Sequence, residues 1–198
     1  MKISNTLKGL VVLVIVVVAL VGCCSSKYNG MVKQEEAVST AWSNVQNQYQ
    51  RRADLIPNLV NTVKGYAEHE SSTLENVVAA RAKATQTVID PTNMTAEELK
   101  KFQEAQGELS SALGRLIAVQ ESYPDLKANE NFRDLQVQLE GTENRINESR
   151  RTYNEAVQSY NVAIRTFPAN IFAGIFGFQQ KAKFEASESA QKAPTVEF

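Results

Sequence analysis

Histidine occurs once in this 198-residue chain, at position 69, and cysteine twice, at the adjacent positions 23 and 24. A zinc or carboxylate-bridged di-metal centre needs several His, Cys or Glu-x-x-His ligands, so a metalloenzyme is not expected. Neighbouring cysteines bridge only under strain, and no third thiol is present to pair with either, which excludes a disulfide framework. Gly and Pro number only 9 and 5, too few for a turn-rich β protein, while Gln, Glu, Ala, Asn and Leu favour helices. Charge of one sign is missing as well. The 21 basic and 22 acidic residues nearly cancel, and the part beyond residue 22 loses only Lys2 and Lys8 and stays slightly acidic. That balance has no electrostatic footprint for nucleic acid. No Gly-rich phosphate loop, nucleophile elbow or metal-ligand spacing occurs anywhere, so no catalytic residues, metal or cofactor are assigned.

What is present begins with an apolar run, Leu10 to Gly22, behind the basic residues Lys2 and Lys8. About a dozen residues match the h-region of a secretory signal and fall short of the ~20 of a spanning helix, though a tilted or thinned bilayer accepts them. The run ends Leu20-Val21-Gly22-Cys23, which resembles a bacterial lipobox: a small residue precedes a cysteine whose thiol takes lipid before cleavage. Cys23 is therefore the candidate lipid-attachment residue, and an uncleaved anchor that happens to end in two cysteines is the alternative. In either case the basic start favours the cytoplasmic side, placing the rest of the chain outside the cytoplasm.

Beyond residue 25, apolar residues recur in alternating steps of three and four. One seam runs Val38, Trp42, Val45, Tyr49, Arg52, Ile56, Leu59, Val63, Tyr66, and another Leu99, Phe102, Gln106, Leu109, Leu113, Leu116, Gln120, Tyr123. A third runs Phe132, Leu135, Leu139, Thr142, Ile146, Ser149, Tyr153, Ala156, Tyr160, Ala163, Phe167, and a weaker one Leu74, Val77, Arg81, Val88. Such spacing is helical and coiled-coil-like; strands cannot produce it. Ser72 to Glu75 and Thr95 to Glu98 have capping-box spacing, and breaks fall at Ile89–Asn93, Tyr123-Pro124 and Phe167-Pro168. The pattern predicts an all-α fold, an antiparallel up-and-down bundle of about four helices over residues 25–168. It follows an anchor at 1–22 and precedes a tail at 169–198. Pro57 predicts a kink or break near Arg52–Ile56. Among the polar seam positions, Gln106 and Ser149 read best as a loosely packed, wet seam.

The stretches Gln50–Glu70, Tyr123–Phe132, Thr142–Ile146, Arg150–Asn154 and Phe167-Pro168 leading to Phe176-Gly-Phe178 resemble the LemA family of bacterial envelope proteins. The likeness runs from about Tyr28 to the end. It implies a membrane-attached antiparallel helical bundle but no reaction and no site residues. Family members commonly start with a plain transmembrane helix, so the cysteine pair bears only on the mode of anchoring.

Few residues invite chemistry. His69 lies between Glu68 and Glu70, but sequence neighbours diverge and cannot converge on one substrate atom. Arg51, Arg52 and Asp54 read as a structural ion-pair cluster, with Glu140, Glu143 and Glu148 as carboxylates on a facing helix; anion binding is the less favoured alternative. The uncharged segment Phe167–Phe178 either closes one end of the bundle or offers Phe172, Phe176 and Phe178 to a partner or membrane. Lys181–Glu188 is expected to be a polar helix, and Val196-Glu197-Phe198 fits a PDZ-like groove only at chance level. The expected function is a membrane-attached, non-enzymatic scaffold or adaptor of the cell envelope, with self-association open. An extracytoplasmic sensor with a small ligand in its core is the alternative, and a hydrolase has least support.

Overall fold

The computed structural model describes residues 5–87, 89–91 and 94–185, and every regular element among them is helical. The order is α1 (Asn5–Lys64), α2 (Ser71–Gln86), α3 (Ala96–Ala118), a 3-10 turn (Val119–Ser122), α4 (Pro124–Ala128), α5 (Glu130–Arg165) and α6 (Ala169–Phe176). Two compact units emerge, one from residues 1–38 with 156–180 and one from 39–155 with 181–198. Both α1 and α5 contribute residues to each unit.

The larger unit is built as its seams dictate. Ile56, Leu59 and Val63 of α1, Leu74 and Val77 of α2, Leu109, Leu113 and Leu116 of α3, Leu126 of α4 and Phe132 and Leu139 of α5 form one buried cluster. Removing such side chains from water at roughly 25 cal/mol per Å² is the main stabilising term for helices this polar on their outer faces. Partner numbers descend along one helix as they rise along the other: Trp42 meets Tyr153, and Arg52 meets Glu143. In the same way, Ala84 meets Gln106 and Lys83 meets Glu108.

Pro57 does not break α1, which stays helical through Lys64. Proline has no N–H for the carbonyl four residues back, that of Ala53. The Nε of Arg81 donates to that oxygen at 2.8 Å, so a side chain of α2 replaces the missing backbone donor. The cap at Thr95 forms as expected: its hydroxyl accepts from the Glu98 N–H, while the Glu98 carboxylate accepts from the Thr95 N–H. That contact holds the Glu98 carboxyl below its ordinary range. Ser72 does not cap α2. The helix already includes Ser71, and Glu70 precedes it without a side-chain cap bond.

At several seam ends the burial differs from the heptad. Ala67 is buried in place of the exposed Tyr66, where α1 has already ended. Beyond Tyr153 the buried positions are Val157, Tyr160 and Ile164 rather than Ala156, Ala163 and Phe167, and Phe167 is 78% exposed. A helix has 3.6 residues per turn, so a fixed seven-residue repeat drifts off the buried face over many turns. In the smaller unit, α6 starts after Pro168, buries Ala169 and Ala173, and ends at Gly177 in the left-handed conformation (φ 78°). Residues 181–185 are not helical. Val88, Thr92, Asn93, Lys2 and everything from Ala186 onward, including Pro194–Phe198, lie outside the described residues.

Candidate functional site

The heptad of α1 puts Arg52 at a core position, where it is 2% exposed. An inward-facing guanidinium must find acceptors, because an unpaired buried charge is costly. Its Nη1 donates to Ser110 Oγ at 2.7 Å and Glu143 Oε2 at 2.8 Å. Its Nη2 donates to Gln106 Oε1 at 2.7 Å and to the Gln106 carbonyl at 3.3 Å, and the guanidinium lies 5.2 Å from the Tyr49 ring centre. Gln106 passes the chain on, donating from Nε2 to the Ala84 carbonyl. Four helices are thus tied through one arginine. The Arg52 Nε, also buried, has no hydrogen-bond partner among the described residues.

Gln106 is therefore a buried, paired network member, not part of a wet seam, because its amide meets both a donor and an acceptor. Thr142 and Ser149 donate back into their own helix, to Gln138 and Ile146. Of the carboxylates expected to meet this cluster, Glu143 pairs with Arg52, whereas the exposed Glu140 accepts from Gln136 and Glu148 from Arg151. Arg51 and Asp54 are exposed, and Asp54 accepts from Gln50 at 2.7 Å. The three predicted residues do not act as one cluster; Arg52 alone is inside. Burial pushes the Tyr49 phenol up, against the pull of Arg150 and Arg52.

Arg52 and Glu143 line an open groove of about 1240 Å³, together with Lys100, Gln103, Arg150 and Asn154. One wall is formed by Lys183, Phe184 and Glu185, in a non-helical stretch where Lys181–Glu188 was predicted to be helical. Phe184 is buried and sits 5.9 Å from Trp42, nearly parallel, and 5.4 Å from Tyr153, edge-on, with the Arg150 guanidinium 4.7 Å from its centre. The Asn154 amide clamps its backbone from both sides: Nδ2 donates to the Phe184 carbonyl at 3.0 Å, and Oδ1 accepts from the Phe184 N–H at 2.8 Å. Tyr153 donates to the Ala182 carbonyl at 3.1 Å, and Gln103 to that of Glu185 at 3.0 Å. Burial raises the Tyr153 phenol to about 12. Sequence reasoning missed this arrangement, since one phenylalanine in a polar stretch has no period; Asn154, at a half-buried position beside the seam, carried the only hint.

The other expected positions are more scattered. His69 and Glu68 are exposed in the turn after α1, and the half-buried Glu70 accepts from Tyr123 at 3.3 Å, which with burial raises the Tyr123 phenol. Cys23 is an exposed free thiol within α1, and Cys24 is partly covered. Phe172 on α6 is half-buried, while Phe176 at the end of that helix and Phe178 just beyond it contact the Tyr28 ring at 4.9 and 5.7 Å. The exposed apolar side chains there are Ile171, Ile175 and the outer part of Phe176. At the other end, the apolar stretch of α1 is exposed from Leu10 through Val18, and the helix is long and apolar enough to cross a membrane by length and composition. The run judged short as an isolated segment is continuous with the helix that follows it.

Comparison with known proteins adds relatives along most of the chain. Magnetosome protein MamQ 2 of Paramagnetospirillum magneticum is 29% identical over 193 residues, covering 89% of this chain and 71% of that protein. Magnetosome protein MamQ of Magnetospirillum gryphiswaldense is 28% identical over 192 residues, covering 88% and 71%. Protein LemA of Metamycoplasma hominis is 27% identical over 160 residues, covering 81% and 69%. The LemA family pattern itself matches residues 41–198, which takes in the Arg52 network and the aromatic pocket of Phe184, and on that match the chain belongs to the LemA family.

Proposed function

We propose that this protein is a membrane-attached, non-enzymatic scaffold of the bacterial envelope, an antiparallel up-and-down helical bundle held at the membrane by the start of α1. The observation that carries the reading is the character of α1. Its first part leaves Leu10 to Val18 exposed among the described residues, and its later part supplies the core positions Ile56, Leu59 and Val63. An exposed apolar helix of this length is stable only in lipid or against another apolar surface. The descending partner numbers between α1 and α5 and between α2 and α3 support the antiparallel arrangement. The anchor takes one of two forms, a spanning helix or lipid on Cys23, and the charge bias of Lys2 and Lys8 favours an extracytoplasmic bundle.

Partner contact is assigned to the outward face of α6, where Ile171, Ile175 and Phe176 are exposed. Crosslinked envelopes carrying a tagged full chain should return a reproducible set of envelope proteins, and Ile175→Glu should deplete it. An empty pull-down from both would overturn the scaffold reading. One observation favours a second reading, a sensor for a small polar ligand: the open groove is lined by both Arg52, Lys100 and Arg150 and Glu97, Glu104 and Glu143. Thermal shifts of the full chain against a panel of small zwitterions, absent in Arg150→Ala, would support it.

A further inference from the structure

We propose that the outward face of α6 lies in the headgroup layer of a phospholipid bilayer, the same bilayer that the start of α1 enters. The case begins with where the exposed apolar side chains sit. Among the described residues of the larger unit they are Tyr66, Val78 and Val137, one in a turn and the others on separate helices. Single residues scattered in this way need no partner. In the smaller unit, beyond the apolar run of α1, they are Tyr28, Val162, Phe167, Ile171, Ile175 and Phe176. The last four run together in sequence through α6 and the turn before it. Ile171 and Ile175 share one face of α6 at helical spacing, while Ala169 and Ala173 bury the other. From Thr166 to Phe178 the chain carries no charge.

What covers this face follows from its neighbours. Phe176 and Phe178 close on the ring of Tyr28 at 4.9 and 5.7 Å, which fixes the end of α6 to α1 at that level. Tyr28 lies on the same unbroken helix as Val21, the last exposed apolar residue of the run, and roughly 10 Å further along it. An interfacial helix sinks its apolar face roughly 5–10 Å into the boundary between headgroups and acyl chains, so the height matches. Tyrosine suits that level, with an apolar ring and a wet hydroxyl. Lipid on Cys23 would bring the bilayer surface closer still, so both forms of the anchor lead to the same place. Charge agrees as well. Residues 9–34 and 156–180 carry Lys27, Lys33 and Arg165, all exposed, and no carboxylate. Cations without anions beside an apolar face suit anionic lipid headgroups. The inference rests on the proposed membrane attachment and names the surface on which the α6 face lies; envelope proteins then reach that face within the plane of the membrane.

Ile175→Trp and Ile171→Trp report on the face, both at exposed positions, and Val18→Trp reports on the anchor. Each full-length variant is reconstituted into vesicles of phosphatidylcholine and phosphatidylglycerol brominated on the acyl chains. Emission of the parent protein, which comes from the buried Trp42, is subtracted. The expected result is about twofold quenching by brominated lipid at 171 and 175, with blue-shifted emission that aqueous iodide leaves unchanged. Water-like emission at both positions, quenched by iodide, would overturn the proposal; quenching of Val18→Trp by the lipid would then leave the attachment standing. Blue-shifted emission that neither quencher reaches would overturn it too, because a second copy of the protein would then cover the face. Val18→Trp emission untouched by brominated lipid would remove the attachment, and the proposal with it.

Discussion

At the residue scale, the Arg52–Glu143 pair is unequal, because the arginine side chain is 3% exposed and the glutamate 47%. Truncating the buried member strands Gln106 and Ser110, whereas truncating the exposed one leaves Arg52 with two other partners. Arg52→Ala should therefore destabilise the fold by about 2–4 kcal/mol, and Glu143→Gln by less than about 1 kcal/mol, in thermal or urea unfolding. Equal costs would mean that the pair, rather than burial of the guanidinium, sets the energy. Tyr153 yields a pH dependence. Its phenol is raised to about 12 by burial, against an ordinary value of about 10. The folded chain holds the proton more tightly, so this contribution is whole below pH about 10 and is lost as pH climbs toward 12. Melting temperature should drop across that window, and less steeply in Tyr153→Phe. Arg52 was legible as an inward-facing oddity from its seam position, and Glu143 was among its three expected partners. Phe184 was invisible, because its burial depends on Asn154, 30 positions away.

Element by element, helix existence was written in the three-four spacing, and the errors cluster at ends. The Thr95 box was legible because hydroxyl and carboxylate stand three residues apart before a break. Ser72 has the same spacing but fails, since the chain turns into helix at Ser71 before a cap is needed. Pro57 shows why a local rule can be right about cost and wrong about outcome. The lost backbone bond is real, but the Arg81 side chain, 28 positions beyond the Ala53 carbonyl it reaches, replaces it. Two substitutions test this together. Arg81→Ala should cost about 1–2 kcal/mol in the natural chain and clearly less beside Pro57→Ala, where residue 57 can again donate to the Ala53 carbonyl. Additive effects in that double-mutant cycle would remove Arg81 from the role.

For the whole molecule, an all-helical chain with an apolar start was legible from composition and period, and family membership agrees with it. The non-helical Lys181–Glu185 segment was not, because tertiary capture overrides a polar helix-forming composition. Function at this scale turns on attachment. Ile175 is 71% exposed, so Ile175→Glu should leave the unfolding free energy within about 0.5 kcal/mol of wild type while depleting bound envelope proteins. The most direct test of the account is intact mass spectrometry of the protein recovered from fractionated cells. The account predicts a membrane-fraction species whose mass is either the full chain from Met1 or a chain beginning at Cys23 plus lipid. A soluble, unlipidated species lacking the apolar start of α1 would contradict it.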